Sequence, residues 1–416
     1  MTLYDYQQGL VTQGFEILKE KKLLLLSLEM RVGKTPISLT LANMYKAKSV
    51  LFVTKKKVVD GGEVTDTYLK LGCTYKLEVI NYESLHKVKT KPDFVILDEV
   101  HRLGAYPKPG LATRLLKSGL KDVPLIMLSG TMTPESWSQI YHILYVTNHS
   151  PFAKYKNFYK WAEEFVDIQY IFIGQQQIKD YSKAKMDKIK PLIDPYMLSM
   201  TQEEAGFEEV GYTEHIHYVE LDENIPKLIK VLMRDKVYIT KDGKEILADT
   251  PAKLASKHHQ LSGGTVITED KEYKVIDTAK ATFILENLSN HQLAIYYLFK
   301  SELNSILSIF GENMITFDVE EFNRTNKHFV SQVVSGREGI NLSKCDHMVF
   351  YNIPYSYVSW SQTIARIQAK GKTRENHIHY IMPNLPKDLA IEPVILETVK
   401  RKEVFTSSHY KRFINI

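Results

Sequence analysis

LLLLSLEMRVGKT, residues 23–35, places an apolar run directly before a Gly-Lys-Thr sequence. The run predicts a buried β-strand, and the residues after it open a helical stretch. Backbone N–H groups at such a turn and helix N-terminus can point at phosphates. Lys34 would then supply positive charge to the β- and γ-phosphates, and Thr35 would bind magnesium. Leu28 stands where the usual pattern has its first glycine. The segment by itself is therefore also consistent with a Gly-Lys-Thr turn that occurs by chance and binds no phosphate.

A pair of adjacent carboxylates gives the second signal. The apolar run Phe94–Leu97 leads into Asp98 and Glu99. Asp98 would hold Mg²⁺, directly or through water, and Glu99 would orient or deprotonate an attacking water. A solvated Asp-Glu pair is the structural alternative, and the upstream Gly-Lys-Thr sequence makes that interpretation the weaker one. A third apolar run ends in Ser129-Gly130-Thr131, whose hydroxyl groups suit contact with the acidic pair.

Alternating apolar runs and helical stretches predict the α/β class, with parallel sheets and crossover helices. The predicted strands of the first half are Leu23–Leu28, Ser49–Thr54, Glu78–Asn81, Phe94–Leu97 and Leu125–Ser129. Those of the second half are Leu293–Leu298, Met314–Phe317, Phe329–Val334, His347–Tyr351 and His377–Ile381. We expect a first lobe at 1–149, a helical insertion at 150–212, a linker with an Asp-Gly hairpin at 213–269, and a second lobe at 270–416.

Composition limits the class of protein. The net charge is +5, which favours a polyanionic partner without requiring one. The two cysteines, Cys73 and Cys345, are too few for a disulfide framework or a four-cysteine zinc site. The longest early apolar run is too short to cross a bilayer, and the N-terminus lacks the pattern of a signal peptide. We therefore expect a cytoplasmic protein that does not interact with membranes.

The order of these segments resembles superfamily 2 helicases over nearly the whole chain, and among them the Swi/Snf-type ATPases and similar phage-encoded DNA helicases. The resemblance implies two RecA-like lobes of the P-loop NTPase type, with ATP and Mg²⁺ bound in the cleft between them. Tyr4-Asp5-Tyr6-Gln7 is similar to the adenine-reading motif, which implies that Gln7 contacts the base edge. The nucleotide-binding loop would comprise Glu29, Met30, Arg31, Val32, Gly33, Lys34 and Thr35.

The resemblance also implies nucleic-acid contacts in both lobes. In the first lobe these are Thr54, Lys55, Lys56 and Tyr82. In the second lobe, residues 335–342 (SGREGINL) resemble a glycine-rich segment that touches both DNA and nucleotide. Ser335, Gly336 and Asn341 would contact DNA there, and Gly339 the nucleotide. Lys280 matches a lysine that this family carries before the second lobe.

The last resemblance is to the motif Gln-x-x-Gly-Arg-x-x-Arg, in which Gln362 and Arg366 match as catalytic residues, with Arg366 also contacting the nucleotide. Ala365 replaces the glycine, and Ala369 replaces the second arginine, which meets the γ-phosphate. Such an arginine is worth on the order of 10³ to 10⁵ in rate. Either Arg366 or Lys370 substitutes for it, or the chain is a slowed or engineered variant.

These observations predict a DNA-dependent ATPase that moves along or remodels DNA at forks or branched junctions. We expect a monomer that grips DNA through its phosphates, independent of sequence, with RNA as the less favoured partner. If the chain is phage-encoded, its location would be the host cytoplasm. The alternative is an ATP-gated DNA clamp with little hydrolysis, for which Ala369 is the main support. A metabolic P-loop kinase is a weaker alternative, because it gives no role to the second lobe.

Overall fold

The computed structural model describes residues 1–88, 91–130, 132–133, 136–173, 176–206, 211–333, 342–368, 372–401 and 405–414. Several predicted site residues lie outside the described residues: Thr131, Ser335, Gly336, Gly339, Asn341, Ala369 and Lys370. The chain divides into unit 1, Met1–Glu208, and unit 2, Glu209–Ile416. Each unit holds a parallel sheet, which six strands form within the described residues. This is the α/β architecture of two RecA-like lobes.

Unit 1 alternates strands and helices along the chain. Its strands are β1 Leu23–Leu28, β2 Ser49–Thr54, β3 Lys76–Asn81, β4 Phe94–Asp98, β5 Leu125–Ser129, β6 Gln169–Ile173, β7 Gln176–Asp180 and β8 Met197–Met200. Its helices are α1 Asp5–Lys21, α2 Lys34–Met44, α3 Lys56–Gly61, α4 Glu63–Leu71, α5 Leu111–Leu120, α6 Ile140–Tyr145, α7 Phe158–Phe165 and α8 Met186–Ile193. The sheet order is β3-β2-β4-β5-β1-β8.

The central strands of this sheet are buried on both faces, which is why the sequence predicts them well. In β1, every residue except Ser27 is fully buried, as a parallel strand covered on both faces requires. The predicted bounds of β1, β2 and β5 agree with the structure. Strand β3 begins two residues earlier than predicted, and β4 extends one residue further, to Asp98. The carboxyl ends of β1, β2, β4 and β5 therefore meet at one edge of the sheet.

Residues 150–212 are more than the predicted helical insertion. They hold α7 and α8, but also the antiparallel hairpin of β6 and β7 and the strand β8. Strand β8 pairs in parallel with β1, and Trp161 and Phe165 of α7 belong to the same core cluster as Leu23 and Leu25 of β1. The segment up to Glu208 is part of unit 1, and its apolar side chains complete that core, whereas Tyr212 begins β9 of unit 2. The sequence MLSM gave no strand signal, since it is short and lacks β-branched residues.

Unit 2 contains the second sheet. Its strands are β9 Tyr212–Val219, β10 Val237–Ile239, β11 Glu245–Leu247, β12 Thr265–Ile267, β13 Tyr273–Val275, β14 Leu293–Tyr297, β15 Ile315–Thr316, β16 His328–Gln332, β17 His347–Phe350 and β18 Asn376–Pro383. Its helices are α9 Asn224–Asp235, α10 Pro251–Ser262, α11 Ala279–Leu288, α12 Lys300–Phe310, α13 Val319–Arg324, α14 Tyr357–Ile364, α15 Ile391–Lys400 and α16 Ser407–Phe413. The sheet order is β15-β16-β14-β17-β18-β9.

The region predicted as a linker, residues 213–269, is largely built into unit 2. The expected Asp-Gly hairpin is present as β10 and β11. Strand β9, however, pairs in parallel with β18 along eight residues and is an edge strand of the second sheet. Helix α10 buries Leu254 and Leu261 in the core of that unit. The segment therefore contributes to the fold, and the alternating sequence YTEHIHYV is the pattern that indicates its strand.

A buried ion pair joins three elements of unit 2. The Lys280 ammonium group, on α11, donates to Glu392 on α15 at 2.9 Å and to Asn352, which follows β17, at 2.6 Å. Both charged side chains are fully buried. Lys280, which resembled a family motif lysine, thus ties the second sheet to two helices. No helix among the described residues combines the length and apolar character needed to cross a membrane.

Candidate functional site

The Gly-Lys-Thr turn has a backbone that requires glycine. Gly33 precedes α2 with φ 98° and ψ 43°, a left-handed conformation that side chains disfavour. A Cβ atom at Gly33 would lie 2.2 Å from Nε2 of Gln7, which is closer than any real contact. Arg31 also has a positive φ, 67°. Successive N–H groups in such a turn can face an anion at the start of α2, whose first turn carries no acidic side chain.

Gln7 holds this turn from the N-terminal helix. Its side chain is 3% exposed. The amide nitrogen donates to the carbonyl of Val32 at 3.1 Å, and the amide oxygen accepts from the backbone N–H of Tyr4 at 3.1 Å. The Tyr6 hydroxyl donates to the same Val32 carbonyl at 3.2 Å. Gln7 therefore supports the predicted nucleotide-binding loop directly, and its contact with the adenine base also stays a prediction.

Lys34 lies inside the loop. Its ammonium group donates to the carbonyls of Leu28 at 2.8 Å and Glu29 at 3.1 Å. Gly130, which follows β5, is so close that a Cβ there would lie 3.8 Å from the same ammonium group. The loop is also held by the unpredicted strand β8, because Glu29 donates its N–H to the carbonyl of Met200 at 3.0 Å. Three separated segments of sequence thus meet at the predicted phosphate-binding loop.

Asp98 is the last residue of β4, which pairs with β2. One carboxylate oxygen accepts from the Thr54 hydroxyl at 2.8 Å, and the other from the N–H of Glu99 at 3.0 Å. Burial, with the adjacent charge of Glu99, raises the pKa of Asp98 to about 6. The hydrogen bond from Thr54 and the charges of Lys34 and Lys55 act in the opposite direction. The arrangement is a desolvated carboxylate surrounded by cationic and hydroxyl groups.

Glu99 has two polar partners. Its backbone is left-handed, with φ 53°, and turns the side chain beside β2 and β5. One carboxylate oxygen lies 3.6 Å from the ammonium group of Lys55, and the other lies 3.3 Å from Nδ1 of His101. Burial disfavours the charged form, but Lys55 and His101 outweigh it and lower the pKa of Glu99. The same nitrogen of His101 lies 3.4 Å from the Ser129 hydroxyl, which links the acidic pair to β5.

His101 was not among the predicted site residues. The available signal was its place in the sequence Asp98-Glu99-Val100-His101, where it follows the acidic pair on a short 3₁₀ turn. Its partners come from two different strand ends, and no spacing in the sequence shows that contact.

Three residues predicted to contact nucleic acid lie around the acidic pair, and their contact with nucleic acid stays a prediction. Thr54 has no exposed surface, and Lys55 and Tyr82 are each 5% exposed. Besides the contacts above, the Tyr82 hydroxyl donates to the backbone carbonyl of Asp98 at 2.5 Å. The cause is the parallel pairing of β3 with β2 and of β2 with β4, which brings the three carboxyl ends to one edge. Lys56, the first residue of α3, is the one of the four predicted residues that is exposed.

Comparison with known proteins bears on this site. The SNF2-related domain matches residues 36–261, more than half of the 416-residue chain. The chain belongs to the SNF2-related family. The match includes the acidic pair and the Lys55 turn, and it confirms the predicted Swi/Snf-type branch of superfamily 2 helicases. The chain is also similar to YqhH of Bacillus subtilis, described as an uncharacterized ATP-dependent helicase, with 35% identity over 68 residues. That similarity covers 16% of this chain and 12% of YqhH.

The site of this SNF2-related chain fits a magnesium nucleotide in its donor chemistry. Mg²⁺ prefers hard oxygen ligands, and the first turn of α2 and the end of β4 offer the Thr35 hydroxyl and the Asp98 carboxylate. The anion-binding turn and Lys34 complement phosphate charge. Thr35 and Asp98 are therefore the residues that would hold the ion together with phosphate oxygens. Met30 lies in the same turn, where its backbone takes part in the loop.

The second-lobe motif of the SNF2-related chain is partly described. Gln362 lies on α14, and Arg366 follows the end of this helix. The Arg366 carbonyl accepts from the N–H of Leu342 at 3.0 Å, so the last residue of the predicted segment 335–342 is tied to this motif. Burial raises the pKa of Tyr296 on β14, and the charge of Arg366 acts against that rise, which places the guanidinium near this strand. The roles of Gln362 and Arg366 stay predictions.

Proposed function

We propose that this chain is an ATP-driven motor that translocates along or remodels DNA. The observation that carries the proposal is the meeting of Lys34, Asp98 and Glu99 at one edge of the unit 1 sheet, beside the exposed Lys56. A phosphate-binding lysine and a pair of carboxylates at one edge of a parallel sheet are groups that ATP hydrolysis uses. Membership of the SNF2-related family and the similarity to a Bacillus subtilis helicase support the same conclusion.

Each residue of unit 1 has a chemical task in this proposal. Lys34 exchanges its two backbone carbonyls for phosphate oxygens, because an ammonium group gains more from an anion than from neutral acceptors. Glu99 orients the attacking water or accepts its proton. Mg²⁺, held by Thr35 and Asp98, would neutralise charge on the phosphates. Gln7 keeps the loop in shape through Val32 and, in this proposal, also contacts adenine.

In this proposal the protein holds DNA through contacts with its phosphates. Lys56 in unit 1 and the segment Ser335–Asn341 in unit 2 would hold the backbone and tighten alternately as ATP is bound and hydrolysed. Such contacts carry little sequence information, so affinity should fall steeply with salt. DNA rather than RNA is the proposed partner, and the motor is proposed to act as a monomer.

ATPase measurements test the proposal. The rate should rise when DNA is added, and Lys34→Ala should abolish it in both conditions. Equal rates with and without DNA would argue against a DNA motor. Strand displacement on forked, gapped and four-way-junction DNA, beside an RNA duplex, would then show the substrate class.

An ATP-gated DNA clamp with little hydrolysis is the second candidate, because Ala369 stands where helicases carry an arginine. Single-turnover ATPase measurements on the natural chain and on Ala369→Arg separate the two. A large gain on restoring arginine indicates a disabled motor, which favours the clamp. No change indicates that another cation, such as Arg366 or Lys370, serves the phosphates.

A further inference from the structure

Lys55 and Lys56 are adjacent in sequence but point to different surroundings. Lys55 directly follows β2 and is the residue before the first turn of α3. Its side chain is 6% exposed, and its ammonium group faces Glu99 at 3.6 Å. Lys56 is exposed. One peptide bond therefore joins a residue on the surface to a residue at the acidic pair.

The backbone around Lys55 couples it to α3. Its carbonyl accepts from the N–H groups of Val58 at 3.0 Å and Val59 at 3.1 Å. A displacement of this turn must therefore carry Lys55 with it, since the side chain starts from the same backbone unit. Glu99 is held on its other side by His101, 3.3 Å away, so that removing Lys55 would free one of its two oxygens.

We propose that Lys55 is a positioning residue that restrains Glu99 until nucleic acid engages the adjacent turn at Lys56. The inference rests on the proposed function and names the regulation of the same site. In the absence of nucleic acid, the ion pair holds the carboxylate of Glu99 toward β2 and away from water at the phosphates. When a nucleic-acid backbone binds at Lys56, the turn shifts, Lys55 leaves Glu99, and the carboxylate can orient water. Lys55 thus acts on hydrolysis without contacting DNA.

Lys55→Gln is the direct test, with Lys56→Ala as the variant of the neighbouring exposed lysine. ATPase rates with and without double-stranded DNA, and DNA affinity, are measured for each. For Lys55→Gln, we expect the rate without DNA to rise about fivefold or more, DNA stimulation to shrink accordingly, and DNA affinity to stay within about twofold. For Lys56→Ala, we expect weaker DNA binding that depends less on salt. Lys55→Arg should restore stimulation, because it keeps the charge beside Glu99.

Two outcomes would overturn the inference. If Lys55→Gln weakens DNA binding as Lys56→Ala does and leaves the DNA-free rate unchanged, Lys55 is a direct phosphate contact. If it lowers both rates equally and Lys55→Arg does not recover them, Lys55 only supports the site. Nucleotide affinity and thermal unfolding of each variant show that the chain is folded. An unmodified chain with no ATPase activity in either condition would refute the proposed function itself.

Discussion

At the scale of single residues, Gly33 shows how a motif position is fixed by local geometry. Its positive φ and the amide of Gln7 leave no room for a Cβ atom. The sequence indicates the glycine as part of a motif, and the structure adds a second reason for it in a residue far away along the chain.

Gly33→Ala should weaken nucleotide binding and lower the free energy of unfolding by about 1–3 kcal/mol, because the added methyl group must displace Gln7 in a strained backbone. Titration with a fluorescent nucleotide and urea unfolding measure both effects. Gly9→Ala is the control. Gly9 lies within α1 with no atom within 4 Å of an added Cβ, so the change should be neutral or stabilising by up to about 1 kcal/mol. Equal behaviour of the two variants would contradict the interpretation of the loop.

Substitution of Thr54 tests whether this residue acts on Asp98 or contacts DNA. Thr54→Val removes the hydroxyl that donates to Asp98 and keeps the shape of the side chain. Losing a hydrogen bond to a charged group costs about 1.5–3 kcal/mol, so the ATPase rate should fall about tenfold or more. DNA affinity should be unchanged, since Thr54 is fully buried. Thr54→Ser retains the hydroxyl and should retain activity. Loss of DNA affinity in Thr54→Val would instead indicate a direct contact of Thr54 with DNA.

At the scale of elements, β9, β17 and β18 bring histidines together on one face of the second sheet. The ring nitrogens of His215 and His377 lie 3.1 Å apart, those of His217 and His379 lie 3.0 Å apart, and His347 lies 3.1 Å from His379. His291 stacks on His347 with ring centroids 3.8 Å apart. The described residues contain no group of His, Cys, Asp or Glu arranged to hold a metal ion. Protonation of neighbouring rings at these distances would place positive charges side by side.

Acidification should destabilise unit 2 through this cluster. Burial and neighbouring histidines lower the pKa of His379 to about 3. Burial, with the charges of His291 and His377, lowers the pKa of His347 to about 4, although the charge of Asp346 acts in the opposite direction. The unfolded histidine has a pKa of about 6.5. Because the unfolded chain then binds more protons, stability is present above about pH 6.5 and is lost as pH falls toward about pH 4.

Urea unfolding between pH 7.5 and pH 4.5 measures this loss. His379→Gln should reduce the dependence on pH, because one depressed imidazole is removed. His86→Gln, at an exposed position on the first unit, should leave it unchanged. If the two variants showed the same pH dependence as the natural chain, the histidine cluster would not be its source.

At the scale of the whole molecule, the division into two units predicts that a destabilising substitution in one unit affects mainly that unit. Lys280→Met leaves Glu392 buried without its cation, which should cost about 3–5 kcal/mol. Amide exchange should rise within residues 209–416 and stay near its natural level within residues 1–208. The double variant Lys280→Met/Glu392→Met should recover much of the loss, because no buried charge then remains unpaired. Equal loss of protection in both units would contradict the expected independence.

The sequence by itself determined most of the two sheets and the chemical nature of the site. Buried parallel strands are nearly continuous apolar runs, so β1, β2, β4 and β5 could be predicted from local pattern alone. The Gly-Lys-Thr turn and the acidic pair follow these strands directly in sequence, and their identity needed no information from distant residues.

Tertiary structure alone decided which residues surround the acidic pair. Thr54, Lys55 and Tyr82, which were predicted to contact nucleic acid, are buried around Asp98 and Glu99 because β3, β2 and β4 pair side by side. The strand β8 and the contact of Gln7 with Val32 likewise join positions far apart in the chain. Strand order and register fix these contacts, and they depend on the packing of the whole core, which no local pattern of residues records.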